Sequence, residues 1–210
     1  MDTSSSNILI SIIDDNKIVY EYKRSIKMDL ASKILLIIDE GLRKCNIKLQ
    51  DIDKIFIVNG PGSFTGVRIG VTLAKNIAWA LDKKVIPISS LELMATTTTD
   101  KKYLVPMIDA RRGNVFAGIY DKNLNLIESD RLISIQELSK LVNDDYELIS
   151  YDDIDMNNVK KPNIDINKII NRHVNDKNIN PHKLNPRYLK LTEAEENLLN
   201  DKRNWSKRFG

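Results

Sequence analysis

The chain has 210 residues, of which 42% are apolar and 29% are charged, and its net charge is +3. This composition predicts a globular protein of one large or two small domains and excludes a disordered chain. Cys45 is the single cysteine, so a disulfide framework is excluded and a reducing, cytoplasmic location is expected. No apolar run is long enough to cross a bilayer, so we expect no membrane association.

Strand and helix signals alternate through the first half of the chain. The hydrophobic periods and the turn residues between them define seven elements. The predicted strands cover residues 7–13, 18–22, 55–58 and 84–88, and the predicted helices cover 29–45, with Asp29 as cap, 67–81, and 89–97, with Ser89 as cap. Strands separated by helices indicate an α/β fold that contains parallel crossovers.

The second half repeats this pattern more weakly. Strands are predicted over residues 103–108 and 115–120, joined around Asp109, and Ser134 with Glu137 forms a capping-box pattern before a helix to about residue 142. Residues 143–180 are rich in Asn, Asp, Lys and Ile and carry few clear structural signals.

A glycine-rich turn at residues 59–66 lies between a buried strand and a helix. The first N–H groups of such a helix favour anions. The glycine spacing matches neither the Walker loop nor the dinucleotide fingerprint. Asp2 and Asp109 each lie at a strand end beside a turn, where they could hold a metal or water near a nucleotide or could merely cap the turn.

The helix after this turn carries a stripe of minimal side chains at every fourth residue: Gly66, Gly70, Ala74 and Ala78. Glycine inside a helix costs roughly 1 kcal/mol relative to alanine, so Gly70 requires a compensating close contact. Two explanations remain open. The stripe packs on the parent sheet, or it also receives a helix from a partner chain.

The sequence contains few residues in patterns that suit hydrolytic catalysis or metal binding. His173 and His182 are nine residues apart, which suits neither a helical zinc pair nor a zinc finger. Ser63 and Thr65 are predicted as helix-cap groups, because the neighbouring glycines do not form a nucleophile elbow. No glycine occurs between Gly118 and Gly210, so we expect no second close backbone approach to a nucleotide. We therefore expect no metal and no cofactor of the chain's own.

Five motifs together resemble the TsaB (YeaZ) family. They lie in the family's order at residues 2–4, 60–70 with Ala74 and Lys75, 89–92, 109–116 and 186–190. The resemblance implies an actin-like (ASKHA, RNase-H-like) α/β fold of two subdomains, residues 1–99 and an abbreviated 100–210. Asp109, Arg111, Arg112 and Gly113 would be the signature residues of the second subdomain.

The resemblance also implies a function. The chain would be a non-catalytic subunit of the complex that transfers threonylcarbamoyl to adenosine 37 of tRNAs reading codons that start with A. It would bind and activate TsaD, be joined by TsaE, form a homodimer when alone, and contact tRNA only through the complex. A nucleotide could lie at the interface shared with TsaD and TsaE.

Two sets of residues are expected to serve these contacts. The predicted partner interface comprises Ile34, Ile38, Leu42, Gly66, Gly70, Ala74 and Ala78. The residues predicted to lie near an anion or nucleotide are Asp2, Thr3, Ser4, Gly60, Gly62, Ser63, Thr65 and Gly66.

Two competing functions remain. An actin-like ATPase or kinase acting on its own would use Asp2, Thr3 and Asp109 around a metal–nucleotide, and would bind Mg-ATP tightly. A free-standing RNA-binding protein would require a basic stripe with interleaved aromatic residues, which the sequence lacks.

The chain departs from the family at its start. Family members carry an apolar strand before the motif that Asp2, Thr3 and Ser4 match, and in an RNase-H-like sheet that strand is central. Without it, two neighbouring strands would keep unpaired backbone groups. We therefore expect a few residues upstream of Met1 in the natural protein.

Overall fold

The computed structural model describes residues 1–26 and 29–190. The strands are β1 (Asn7–Asp14), β2 (Lys17–Ser25), β3 (Lys54–Val58), β4 (Lys84–Ile88), β5 (Tyr103–Arg111), β6 (Asn114–Asp121), β7 (Leu126–Ser134) and β8 (Tyr146–Ile149). The helices are α1 (Leu30–Lys44), α2 (Phe64–Ala80), α3 (Ser90–Met94), α4 (Ile135–Leu141) and α5 (Ile166–His173).

Three groups of paired strands form the framework. β1 and β2 form an antiparallel hairpin, and β3 pairs with β4 in parallel, with α2 as the crossover. The other four strands form one mixed sheet in the order β7-β6-β5-β8, in which β5 and β8 are parallel. The predicted α/β fold with parallel crossovers is confirmed.

The two N-terminal helices cover one side of the first strands. Ile8 and Ile10 of β1 pack against Ile34 and Ile37 of α1, with α2 contributing Ile69. On the other side, a larger core joins the two halves of the chain. It combines Leu9, Val58, Ile88, Leu91, Leu93, Met94 and Ala95 with Leu104, Tyr120, Leu124, Ile149, Ile166, Ile169 and Ile170.

Several local predictions hold at the level of individual residues. β4 spans the predicted residues, and Ser134 and Glu137 form the predicted capping box at the start of α4. Asp29 occupies the predicted cap position before α1, but it has a left-handed backbone (φ 60°) and its side chain makes no capping hydrogen bond. Ser89 does cap α3, which ends at Met94, earlier than predicted.

Three elements were missing from the sequence-based prediction: β7, β8 and α5. The exposed strand β7 alternates poorly, while β8 and α5 lie in the region with few sequence signals. Each is stabilised by its neighbours. β7 pairs with β6, and β8 pairs with β5. The helix α5 buries Ile166, Ile169 and Ile170 in the shared core.

The division at residues 99 and 100 stays a prediction. The end of the described chain returns to the first half, where Ile179 bridges to Val85 of β4 and Leu184 packs against α2. Within residues 1–26 and 29–190, no helix combines the length and apolar character needed to cross a membrane.

Candidate functional site

The glycine-rich turn packs directly against the Asp2–Ser4 segment. The Ser63 N–H donates to the Ser4 carbonyl oxygen at 2.6 Å, and the Thr3 hydroxyl donates to the Gly66 carbonyl oxygen at 2.8 Å. Ser63 also caps α2, because its Oγ accepts from the Gly66 N–H at 3.2 Å. The structure therefore brings the predicted residues of two distant motifs together at the start of α2.

Close contact explains three of the glycines. A Cβ on Gly62 would lie 2.3 Å from the Ser4 carbonyl oxygen, and a Cβ on Gly66 would lie 2.1 Å from that of Thr3. At Gly70 the obstacle is the Thr3 Oγ1, at 2.2 Å. No side chain fits at these distances, so glycine is required for the turn and helix to approach the Asp2–Ser4 segment.

Two further segments close the other side of the turn. The Arg187 N–H donates to the Asn59 carbonyl oxygen at 2.7 Å, and Gly60 is so close to Arg187 that a Cβ would lie 2.7 Å from its carbonyl oxygen. The Ser90 N–H donates to the Gly60 carbonyl oxygen at 3.1 Å, and its hydroxyl donates to that of Pro61. The Gly60–Pro61 peptide bond is cis.

These contacts bear on the predicted anion site. An anion at the start of α2 would use the first N–H groups of the helix. Those of Ser63 and Gly66 are already bonded within the chain. Thr65 is exposed beside them. The turn thus holds three segments of the chain together through hydrogen bonds, and anion binding there stays a prediction.

Asp2 and Asp109 both stabilise local turns. The buried Asp2 Oδ1 accepts from the Ser4 N–H at 2.7 Å, and burial raises the pKa of this carboxyl group. The Asp109 Oδ1 accepts from the Arg111 N–H at 2.8 Å. No group of three or more His, Cys, Asp or Glu side chains that could hold a metal occurs in the described part of the chain.

The predicted signature of the second subdomain lies on one hairpin turn between β5 and β6. Arg111, Arg112 and Gly113 all have left-handed backbones, with φ of 68°, 56° and 71°. The Arg111 side chain is 87% exposed, and its guanidinium lies 3.5 Å from the Asp109 carboxylate. The turn therefore presents positive charge at the surface.

The residues of the predicted partner interface lie largely inside the chain's own core, and their contact with a partner stays a prediction. Ile34, Leu42, Gly66, Gly70, Ala74 and Ala78 are buried within the chain's own core, and Ile38 is half-buried. The small-residue stripe packs against Thr3, Ile57 and the segment around Leu184. Packing on the parent sheet, the first of the two open explanations, accounts for it, because backbone contact requires small side chains.

Other side chains of the same two helices are exposed. Leu35 and Leu36 on α1 are 55% and 65% exposed, and Phe64 and Trp79 on α2 are 45% and 65% exposed. The apolar residues of α1 cover more of the helix circumference than one core stripe needs, a pattern that indicates either deep burial or a second contact surface. We call Leu35, Leu36, Phe64 and Trp79 the exposed helix face.

An aromatic and cationic cluster lies beside Phe64. The Phe64 ring stacks on Tyr188 with centroids 5.4 Å apart, and the Arg68 guanidinium lies 4.0 Å from the Phe64 centroid. The Arg68 Nε donates to the Tyr188 hydroxyl at 2.9 Å. This cluster holds the segment around Tyr188 against the start of α2.

Sequence reasoning missed a buried acidic centre at Asp130. Its carboxylate accepts from the Ser89 hydroxyl, the Tyr120 hydroxyl and the Arg187 guanidinium, each at 2.6 Å. The Asp130 side chain is 1% exposed. Burial, followed by the adjacent carboxylate, strongly raises the pKa of Tyr120. Asp130 lies in the exposed strand β7, so no pattern in the sequence distinguished it.

His173 joins α5 to α3. Its Nε2 lies 2.9 Å from the Glu92 Oε1 and its Nδ1 lies 2.7 Å from the Asp176 Oδ2. The hydrogen bond with Glu92 is the largest cause that raises the pKa of His173. Glu92 lies three residues after the Ser89 cap, which is the spacing of a capping box, but its carboxylate pairs with this histidine instead.

The fold of the chain matches that of a solved structure. A Pseudomonas aeruginosa protein described as similar to peptidase YEAZ superposes with a TM-score of 0.76 over 90% of this chain and 97% of its own, at 18% identity. The chain therefore has the actin-like, RNase-H-like fold, as predicted.

Sequence comparisons then identify the family. The model of TsaD, tRNA N6-adenosine threonylcarbamoyltransferase, matches residues 25–191. The chain is 38% identical over 129 residues to the Bacillus subtilis tRNA threonylcarbamoyladenosine biosynthesis protein TsaB, covering 61% of this chain and 56% of that protein. It is 35% identical over 88 residues to a Staphylococcus epidermidis tRNA N6-adenosine threonylcarbamoyltransferase, covering 40% of this chain and 25% of that one.

The chain therefore belongs to the TsaD family as that model defines it, and it is similar to proteins named TsaB and YeaZ, as the sequence motifs predicted. The matched region spans little more than half the length of the Bacillus relative.

Proposed function

We propose that this protein acts in the formation of N6-threonylcarbamoyladenosine in tRNA, as a non-catalytic subunit that binds and activates a TsaD-type transferase. The relatives that bear the TsaB name are described as biosynthesis proteins for this nucleoside. Gly60, Gly62 and Gly66 contact the chain's own backbone, so the glycine-rich turn is closed. A loop that binds a nucleotide would have to be open at this position.

The observation that carries the binding role is the exposed helix face. Leu36 and Trp79 each leave 65% of their surface in solvent, although α1 and α2 share one apolar cluster through Ile34 and Ile69. Large apolar side chains grouped on a surface mark contact sites, and aromatic residues contribute most at such sites. In this proposal the transferase covers the face, and a second copy of the chain covers it when the transferase is absent.

The proposed assembly includes TsaE, and tRNA is contacted only within the complex. The exposed arginines of the β5–β6 turn provide positive charge that can contact the tRNA phosphate backbone. Any nucleotide would be shared at the interface with the partners. An ATPase or kinase acting alone has no supporting feature in the described residues, and titration with Mg-ATP tests it directly.

Charge placed on the exposed helix face tests the binding role. We expect Leu36→Glu or Trp79→Glu to weaken capture of the transferase by at least about tenfold, because a carboxylate would be buried in an apolar contact. The measurement is co-purification and titration with the TsaD-type transferase from the same source. Glutamate is compatible with helices, so both variants should stay folded.

A matched control uses an apolar residue of similar exposure elsewhere. Ile127 on β7 is 51% exposed, and we expect Ile127→Glu to leave capture of the transferase unchanged. If the two helix variants bind as tightly as the parent chain, the exposed helix face is not the contact surface. Threonylcarbamoyl transfer to tRNA, with and without the chain, measures activation separately from binding.

A further inference from the structure

A short segment near the end of the described chain lies along α2. We call residues 181–188 the return segment. At the C-terminal end of α2, the Trp79 ring meets the His182 ring edge-on, with centroids 5.9 Å apart. At its N-terminal end, the Phe64 ring stacks on Tyr188. The return segment therefore runs antiparallel to α2 and contacts both aromatic residues of the exposed helix face.

The middle of the return segment has anchors of its own. Leu184 is buried in the apolar cluster that contains Val71 and Ala78 of α2. The Lys75 ammonium group donates to the carbonyl oxygens of His182 and Leu184, at 3.0 and 3.4 Å. These contacts come from α2 itself, so they hold the middle of the segment whatever happens at its end.

The end of the return segment is held by a residue from the second half of the chain. The Arg187 guanidinium donates to the Asp130 carboxylate of β7 at 2.6 Å, and the Arg187 N–H donates to the Asn59 carbonyl oxygen. The Asp130 side chain is buried, whereas the Arg187 side chain is 39% exposed. Because Tyr188 follows Arg187 directly, this ion pair limits where the Tyr188 ring can lie.

The Asp130 carboxylate is itself held in one orientation. Its Oδ1 accepts from the Tyr120 hydroxyl, and its Oδ2 accepts from the Ser89 hydroxyl. Gly118 leaves the room that the carboxylate needs, because a Cβ there would lie 2.3 Å from the Asp130 Oδ1. A buried carboxylate is stable only with hydrogen bonds and a cationic partner. The two hydroxyls thus orient the group, and Arg187 supplies the positive charge.

The pair of Phe64 and Tyr188 forms part of the surface rather than of the core. The two side chains are 45% and 46% exposed, so each keeps nearly half of its surface in solvent. The Arg68 guanidinium lies over Phe64, and its Nε donates to the Tyr188 hydroxyl. Aromatic and arginine side chains contribute most of the binding energy at protein interfaces. A partner that covers the exposed helix face would therefore meet Tyr188 together with Phe64.

We propose that Asp130 is a positioning residue for the contact with the transferase. Through Arg187 it fixes Tyr188 beside Phe64, so that both rings are in place when the exposed helix face is covered. Asp130 is buried and cannot touch a partner, so its effect on binding passes through the return segment. Because this role concerns the same contact surface, it rests on the proposed function.

Two matched substitutions test this role. Asp130→Asn removes the charge that holds Arg187. Glu147→Gln is the control, because Glu147 on β8 is also buried and also binds one exposed cation, Lys160, and one hydroxyl group, that of Thr99. Both substitutions should lower the urea midpoint, but only Asp130→Asn should weaken capture of the TsaD-type transferase, by about fivefold. An equal loss of capture in both variants would overturn the proposal.

Hydrogen exchange reports the position of the return segment without the transferase. Asp130→Asn should speed exchange of the Arg187 amide by at least about tenfold, because the ion pair no longer supports the bond of this amide to Asn59. Glu147→Gln should leave that exchange rate unchanged. An unchanged rate in Asp130→Asn would show that the ion pair does not hold the segment, and would overturn the proposal.

A double-mutant cycle shows whether Asp130 acts through Tyr188. Tyr188→Ala removes the ring, so adding Asp130→Asn to that variant should change capture by less than about twofold. All titrations use conditions in which circular dichroism shows each variant to be folded. An equal loss in both backgrounds would overturn the proposal. A parent chain that does not capture the transferase would refute the proposed function and this role with it, whereas capture that is unaffected by Asp130→Asn would refute this role alone.

Discussion

Gly66 and Gly70 lack a Cβ where Thr3 occupies the space that a Cβ would need. The sequence showed that Gly70 needed a close contact, and in the structure Thr3 makes that contact. The same reasoning applies to Gly118, where a Cβ would lie 2.3 Å from the buried Asp130 carboxylate. In each case a different segment of the chain leaves no room for a Cβ, so the position requires glycine.

Gly66→Ala should destabilise the protein even though alanine is the better helix former. The new Cβ would lie 2.1 Å from a backbone oxygen that cannot rotate away, so we expect a loss of about 1–3 kcal/mol or more in the free energy of unfolding. Urea denaturation measures it. Thr72→Ala on the exposed side of the same helix is the control, and an equal effect of both substitutions would contradict the role of the contact.

Asp130→Ala should cost more than a surface substitution. It would leave the buried Tyr120 hydroxyl without its acceptor, whereas the Arg187 side chain is 39% exposed and can turn to water, so we expect a loss of about 1–3 kcal/mol. Glu128→Ala on the same strand removes only an exposed pair, so it should change stability by about 0.5 kcal/mol or less. A similar loss in both variants would show that the Asp130 centre is not a stabilising one.

At the scale of elements, α3 and α5 are joined by the pair between Glu92 and His173. Neither helix is long, at five and eight residues, so contacts with the rest of the chain stabilise them more than helix propensity does. The pair joins two helices whose apolar residues, among them Leu91 and Ile169, lie in the larger core.

The His173 contacts should make stability depend on pH. Because the carboxylates raise the folded pKa of His173 above its ordinary 6.5, their contribution is full below pH 6.5 and is lost as pH rises through the raised value. The stability difference between the parent chain and His173→Gln should therefore shrink as pH increases. Urea midpoints from pH 5.5 to 9 measure this difference, and His182→Gln is the control, which should keep the pH dependence of the parent.

At the scale of the whole molecule, one core is shared by both predicted subdomains. Leu9 and Val58 from the first pack in the same cluster as Leu104 and Ile149 from the second. The chain also returns at Arg187 to bond Asn59 beside the glycine-rich turn. The halves therefore depend on each other for burial.

A fragment of residues 1–99 should lack a cooperative unfolding transition. Without the second half, Leu9, Val58 and Leu91 would be exposed, and their transfer from water would no longer stabilise the fold. Urea titration followed by circular dichroism measures this, with residues 1–190 as the control. A cooperative transition in the short fragment would instead support an independent domain that ends at residue 99.

How far the sequence predicted the fold and the site depends on the range of the interactions. Strands and helices with strong periodicity, such as β4 and α2, follow from local hydrophobic pattern, since they bury a face whatever the partner. The motif at residues 60–70, with the four others, was sufficient to predict the family and the actin-like fold. Within the site, the capping role of Ser63 is likewise local.

Only the tertiary structure decided which surfaces those elements cover. Burial of the small-residue stripe against Thr3, the acceptor role of Asp130 and the pairing of Glu92 with His173 all join residues far apart in sequence, and no local pattern encodes such contacts. Sequence alone thus determined the elements with strong hydrophobic periodicity, the glycine-rich turn and the family. The partner of each apolar or polar face followed from the way the chain folds back on itself, because packing and hydrogen bonding act between segments rather than along them.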